Sequence, residues 1–158
     1  ELRNIFFLKN NLKEELQERF PTHRLCHFSS ALISAFYQHS LEMEGPKVYL
    51  YVSGHHLYIS YFRGHDLVFF NRFTFRSTRD FLYFTLLLYR QFDLKPDQVP
   101  VLISGSLLKE SSIYELLFRY LRQIAFMPLP PFLNFQSVVR QEQSHLFFGT
   151  YAMKLCGS

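Results

Sequence analysis

The chain has 158 residues, enough for one domain of ordinary size or one domain plus part of another, and its 48% apolar content excludes wholesale disorder. A net charge of +4 is scattered, with no run of five Lys or Arg, so composition makes no case for nucleic acid as a partner. No apolar run approaches the roughly 18 residues of a membrane span and no signal-peptide pattern is present, so no membrane partner and a cytoplasmic location are expected.

In chain order, Ile5–Leu8 reads as a short strand. Asn10 or Asn11 can cap a helix whose apolar positions are Leu12, Leu16 and Phe20, and Pro21 ends it. Arg24–His27 reads as a strand. Ser29 or Ser30 then caps a helix with Leu32, Ile33, Phe36 and Tyr37 on one face. Gly45-Pro46 is a break. The chain opens at Glu1, without an initiator Met, and enters a strand-like run at once. An additional N-terminal portion is therefore expected.

A meander follows, over Lys47–Val52, Leu57–Phe62 and Leu67–Phe75. Apolar residues alternate, and the turns at Ser53-Gly54 and Arg63-Gly64 give antiparallel hairpins. In the third strand Leu67, Phe69, Phe73 and Phe75 are expected on one face. Large apolar side chains lie on both faces, so helices should cover the sheet on both sides. Ser77 or Thr78 caps the next helix, which runs to about Gln91. Phe81, Phe84, Leu88 and Tyr89 form one stripe on it, and Tyr83, Leu86 and Leu87 a second. That second stripe is the candidate interaction face, for another protein or for the chain's own N-terminal lobe.

Lys95-Pro96-Asp97 connects to Val101–Ile103, a short apolar strand suited to a parallel sheet interior. Ser104-Gly105-Ser106 turns the chain. Ser112-Ile113-Tyr114-Glu115 reads as a capping box for a helix to about Arg122. Ile124–Phe126 is one more strand, Pro128–Pro131 a rigid extended segment, and Ser144–Leu155 a last helix. The two cysteines, Cys26 and Cys156, sit far apart without a CxxC motif, and buried free thiols are the expected state. The 19 Phe and 10 Tyr exceed the needs of one small core, so some rings should line a second buried surface, such as a domain or subunit contact, unless a large two-sided core takes them.

From Lys47 the order βββαβαβα resembles the ribonuclease H-like unit that actin-like ATPases use twice. The fold class implied is α/β, a mixed sheet with an antiparallel three-strand meander covered by helices on both faces. The segments that carry the likeness are His23–Phe36, Val48–Phe75, Phe75-Arg76-Ser77 with Asp80–Tyr83, and Leu102–Gly105. On these the chain is similar to an uncharacterised bacterial family with an actin-like ATPase fold, domain of unknown function 3822, and more distantly to pilus-assembly ATPase-like proteins. The resemblance implies that residues 1–45 are the closing part of a first unit, with Ser29–His39 as a linker helix, and that 46–158 are a second unit.

Active members of that superfamily carry Asp-x-Gly at the end of the first strand. The Asp places a metal, and the Gly lets backbone N–H groups approach phosphate. Here the triplet is Val52-Ser53-Gly54, and an aliphatic side chain cannot hold Mg²⁺. The adenine-side Gly-Gly is reduced to Ser104-Gly105-Ser106. Ser53, Gly54, Ser104, Gly105 and Ser106 are thus degenerate nucleotide-loop positions, and neither a catalytic residue nor a bound cofactor is expected. A nuclease needs a carboxylate inside the first strand, and Lys47–Val52 has none; Asp66 and Asp80 lie elsewhere. His55 and His56 stand at one end of the second strand and His65 and Asp66 at the other, roughly 20 Å away, too far to share a metal. Cys26 and His27, alternating on a strand, would not pair for catalysis. Tyr49, Tyr51, Tyr58 and Phe62, near Arg63 and Arg72, could stack RNA bases only on an open sheet face. The reading is a catalytically inactive actin-like scaffold or interaction module. Its rivals are an ATP-binding protein whose acidic residues lie in a missing N-terminal unit, and an RNA-binding module.

Overall fold

Alternating apolar residues and two glycine turns fold the middle of the chain into β1 (Pro46–Ser53), β2 (His56–Arg63) and β3 (Asp66–Thr74). The structure is a computed structural model, and it describes residues 4–22, 25–129 and 141–156. β1 and β2 pair antiparallel from Pro46↔Arg63 to Ser53↔His56, and β3 pairs antiparallel with β2. After α3 (Thr78–Gln91), β4 (Val101–Gly105) joins parallel to β1. After α4 (Ser112–Tyr120), β5 (Ile124–Phe126) joins parallel to β4. The sheet order is β3-β2-β1-β4-β5. α3 starts where expected: the Ser77 hydroxyl accepts the Asp80 N–H at 3.1 Å, and the Asp80 carboxylate accepts the N–H groups of Ser77 and Arg76.

The sheet carries a core on each face. On one, Leu50, Ile59, Val101 and Ile103 meet Phe81 and Leu88 of α3 and Leu117 of α4. On the other, Tyr49, Tyr51, Tyr58 and Phe62 meet Leu32 and Phe36 of α2 (Phe28–Ser40) and Phe148 and Ala152 of α5 (Phe148–Ala152). Phe36 stacks on Tyr49 at 4.7 Å and on Phe148 at 5.4 Å between ring centres. The aromatic surplus therefore fills the second buried layer.

Several sequence expectations are corrected. Ile5–Leu8 is not a strand; a strand needs a ladder partner, and Ile5 and Phe7 are 86% and 99% exposed. α1 (Asn10–Arg19) forms, but Lys9 precedes it without a side-chain cap and the helix has no buried residue. Leu25–His27 is not a strand either, while His23 and Arg24 lie outside the described residues. His27 itself caps α2, its Nδ1 accepting the Ser29 N–H at 3.2 Å, so neither Ser29 nor Ser30 does. Ser111, not Ser112, caps α4, accepting the Tyr114 N–H at 3.2 Å, and α4 stops at Tyr120. The last helix is shorter than expected, with tighter 3₁₀ turns at Gln141–Phe147 and Met153–Leu155 on either side of α5. Pro130 and Pro131 lie outside the described residues.

Two further corrections bear on function. A β-bulge shifts the register so that Tyr61 faces Phe69 and Phe62 faces Leu67, leaving Val68 between. Leu67 thereby joins the tyrosine-rich face, opposite Phe69 and Phe73. The cysteines are not free thiols: Cys26 and Cys156 form a disulfide, with Cα atoms 5.8 Å apart across 130 residues of sequence. The His27 cap fixes the entry to α2, and Met153–Leu155 packs against α2, which brings the two sulfurs together.

Candidate functional site

The degenerate loop positions converge where β1 and β4 end, at the register pair Val52↔Gly105. Val52 is buried, while Ser53 and Gly54 sit on the exposed turn. Gly105 has φ 84°, and a Cβ built on it would lie 2.1 Å from the Val52 carbonyl oxygen. The glycine is required for the approach of two backbones. Three donors on the β4 side are already used. The Ser106 N–H donates to Val52 O and the Leu107 N–H to Gly105 O, both at 2.8 Å. The Ser104 hydroxyl donates to Leu50 O at 3.3 Å. The structure thus brings Ser53, Gly54, Ser104, Gly105 and Ser106 to one end of the sheet, with the Ser104–Leu107 side closed by its own hydrogen bonds.

The other candidates are separated or engaged. His55 packs its ring near Phe75, and His56 shares a hydrogen bond with Thr74 Oγ1. At the far end of β2, His65 Nδ1 lies 3.0 Å from Ser40 O, as donor to that carbonyl. Among the described residues no group of three or more His, Cys, Asp or Glu is placed to hold a metal. Asp80 works as a helix cap, and the Arg76 and Ser77 hydrogen bonds hold its carboxyl below the usual range. Tyr49, Tyr51, Tyr58 and Phe62 are buried beneath α2 and α5, so they offer no stacking platform. On α3, Tyr83 is 60% and Leu87 37% exposed, whereas Leu86 packs partly on the core. Of the three residues of the expected interaction face, Tyr83 and Leu87 are exposed.

One buried charge was not anticipated. Lys47 is fully buried in β1, and its Nζ donates to three backbone carbonyls: Ser40 O at 3.3 Å, Gly64 O at 3.2 Å, and Met43 O. Desolvation lowers its pKa. The sequence signal was a single lysine opening an otherwise apolar strand. Nearby, buried His39 shares a 3.0 Å hydrogen bond with the Tyr49 hydroxyl. Beside this end of the sheet a groove of about 820 Å³ runs along α2, walled by Ser30, Ser34, Gln38, His65 and Asp66 with Phe62 at its base.

Three comparisons bear on what the chain is. The family model described as "Protein of unknown function (DUF3822)" matches residues 1–124. Among curated proteins none matches. A solved structure from Bacteroides thetaiotaomicron VPI-5482, described as a protein with actin-like ATPase fold and unknown function, is 22% identical with a TM-score of 0.69. The match covers 76% of this chain and 47% of that one. The fold is thus the actin-like ATPase fold, and the chain spans about half the length of the structure it matches. Among the described residues no helix is long and apolar enough to cross a membrane.

Proposed function

We propose that this chain, which belongs to the family described as protein of unknown function DUF3822, serves as a catalytically inactive actin-like scaffold or protein-interaction module. The observation that carries the reading is the Val52–Gly105 joint: the position of the metal-placing Asp is a buried Val, and the Ser106 N–H is spent on Val52 O. The partner in this reading is another protein or a further lobe of the same protein, met by Tyr83 and Leu87. Residues 1–45 would close a first unit and 46–158 form a second. Support comes from α1, which has no buried residue, and from a structural match that covers only 47% of the other chain. The same difference in length favours the rival, in which another unit supplies acidic residues for ATP.

A cytoplasmic location belongs to the proposal. It gives the disulfide a particular meaning, because reducing compartments keep such bonds transient and responsive. The test is Mg·ATP hydrolysis together with a thermal shift at saturating Mg·ATP. Neither turnover nor a shift is expected. A rise of several degrees, or measurable hydrolysis, would refute the reading.

A further inference from the structure

We propose that the Cys26–Cys156 bond is a redox-operated clasp that locks the N-terminal arm to the C-terminal turn across one end of the α2 groove. The chain's two cysteines stand 130 residues apart, yet their Cα atoms are 5.8 Å apart, a separation that a disulfide spans without backbone movement. Both residues are partly exposed, so a small thiol can reach them.

Of the two segments the bond joins, the last turn packs on α2 and α5, and the arm is otherwise lightly held. Among the described contacts, the arm before α1 meets the body through Asn4, whose amide donates to Ser30 Oγ at 3.0 Å, and through the Phe6 ring against His27. α1 adds no buried residue. Asn4 from the arm and Leu155, the neighbour of Cys156, both line the groove. Phe148 and Ala152, by contrast, are buried on the sheet, so packing keeps α5 in place when the bond opens. Opening is therefore local. It frees the arm, while the last turn keeps its packing on α2 and α5, and it opens the groove on the Asn4 side.

The chemistry balances with a low-molecular-weight thiol as reductant. Its thiolate attacks one sulfur, the S–S bond breaks, and the other cysteine leaves as a thiolate. A second small thiolate attacks the small-thiol sulfur of the mixed disulfide, that S–S bond breaks, and the remaining cysteine leaves as a thiolate. Two protein thiols and one small disulfide result, with two electrons passed to the protein.

The test uses the full chain in oxidised and reduced glutathione, with thiol counting and backbone order parameters from nitrogen-15 relaxation. The oxidised protein should show no titratable thiol and the reduced protein two. On reduction, order parameters at residues 4–22 should fall from about 0.85 to below about 0.6, while Met153–Leu155, β1, β2 and β4 keep theirs. Oxidised glutathione should restore the first state. Cys26→Ser and Cys156→Ser should each give the loosened arm under both conditions. If a variant fails to fold, reduced wild-type protein capped with iodoacetamide supplies the same comparison. Unchanged order parameters, collapse of the strand signals, or two free thiols in oxidised glutathione would each overturn the proposal.

Discussion

Replacing Gly54 and Gly105 by alanine should have very different costs, and the difference tests why the glycines are there. Both have positive φ, 55° and 84°. A Cβ in that region costs about 1–2 kcal/mol, partly offset by the lower unfolded-state entropy of alanine. At Gly54 nothing lies within 4 Å of the added carbon, so Gly54→Ala should cost about 1 kcal/mol. At Gly105 the carbon would sit 2.1 Å from Val52 O and 2.8 Å from Val52 N. Relief requires moving Val52 and breaking the Ser106–Val52 hydrogen bond. Adding about 1 kcal/mol for the bond and about 1–3 kcal/mol for overpacking brings Gly105→Ala to about 3–5 kcal/mol. Urea unfolding followed by circular dichroism reads both, through the midpoint at constant slope. If Gly105→Ala folds normally and costs no more than Gly54→Ala, strand approach is not the reason for the glycine. A phosphate contact would then be the better account.

Reducing the disulfide removes a loop closure of 130 residues. The chain-entropy relation gives about 5 kcal/mol for that, so the thermal midpoint should fall by about 10–20 °C while the protein stays folded; a midpoint unchanged by reduction would contradict this. Lys47→Met takes the ammonium donor from the Met43 and Gly64 carbonyls and one of several donors from Ser40 O, which keeps His65, and should cost about 2–4 kcal/mol by urea unfolding; a loss below about 0.5 kcal/mol would contradict this. Burial lowers the pKa of His39 and His145 from 6.5, with Glu42 opposing the shift and Lys47 adding to it at His39. The unfolded state therefore binds these protons more readily. Stability should rise with pH below about 6.5 and level off above it, and the double variant His39→Gln/His145→Gln should flatten that rise; an equal slope would count against it. Tyr83→Ser should change stability by less than about 0.5 kcal/mol, while Leu86→Ala should cost about 1–2 kcal/mol. Equal effects would mean the exposed face is misassigned.

The parts of the fold that were legible are those fixed by neighbours in sequence. Period-2 alternation and the turn glycines give β1 to β3, and Ser77 with Asp80 gives the start of α3. The less legible parts depend on residues distant along the chain. The Ile5–Leu8 run has strand composition, but a strand exists only with a partner ladder. Leu67 changes face because one extra residue, Val68, is inserted opposite β2, and alternation alone cannot reveal a bulge. The disulfide needs the two ends of the chain to meet beside α2, which no local pattern encodes. At the candidate site, an aliphatic Val52 at the end of β1 was readable. The occupation of the Ser106 N–H was not, because it depends on the parallel β1–β4 register.

The two ends of β1 carry opposite arrangements. Open α/β sheets receive ligands beyond the carboxyl ends of their parallel strands, where backbone donors point outward. Here that end is closed, with Val52 O, Gly105 O and Leu50 O each taking a donor that a phosphate would have needed. At the other end Lys47 draws together the end of α2 and the β2–β3 turn, the two elements that wall the groove. His65 adds a second tie to the same Ser40 carbonyl. The disulfide stands where the arm and the last turn meet that groove. Its wall geometry is therefore set by a buried cation that stays in place under all redox conditions and by a sulfur pair that does not. A ligand that uses the groove would sense the oxidation state of Cys26 and Cys156 through Asn4, with β1 and β4 unmoved.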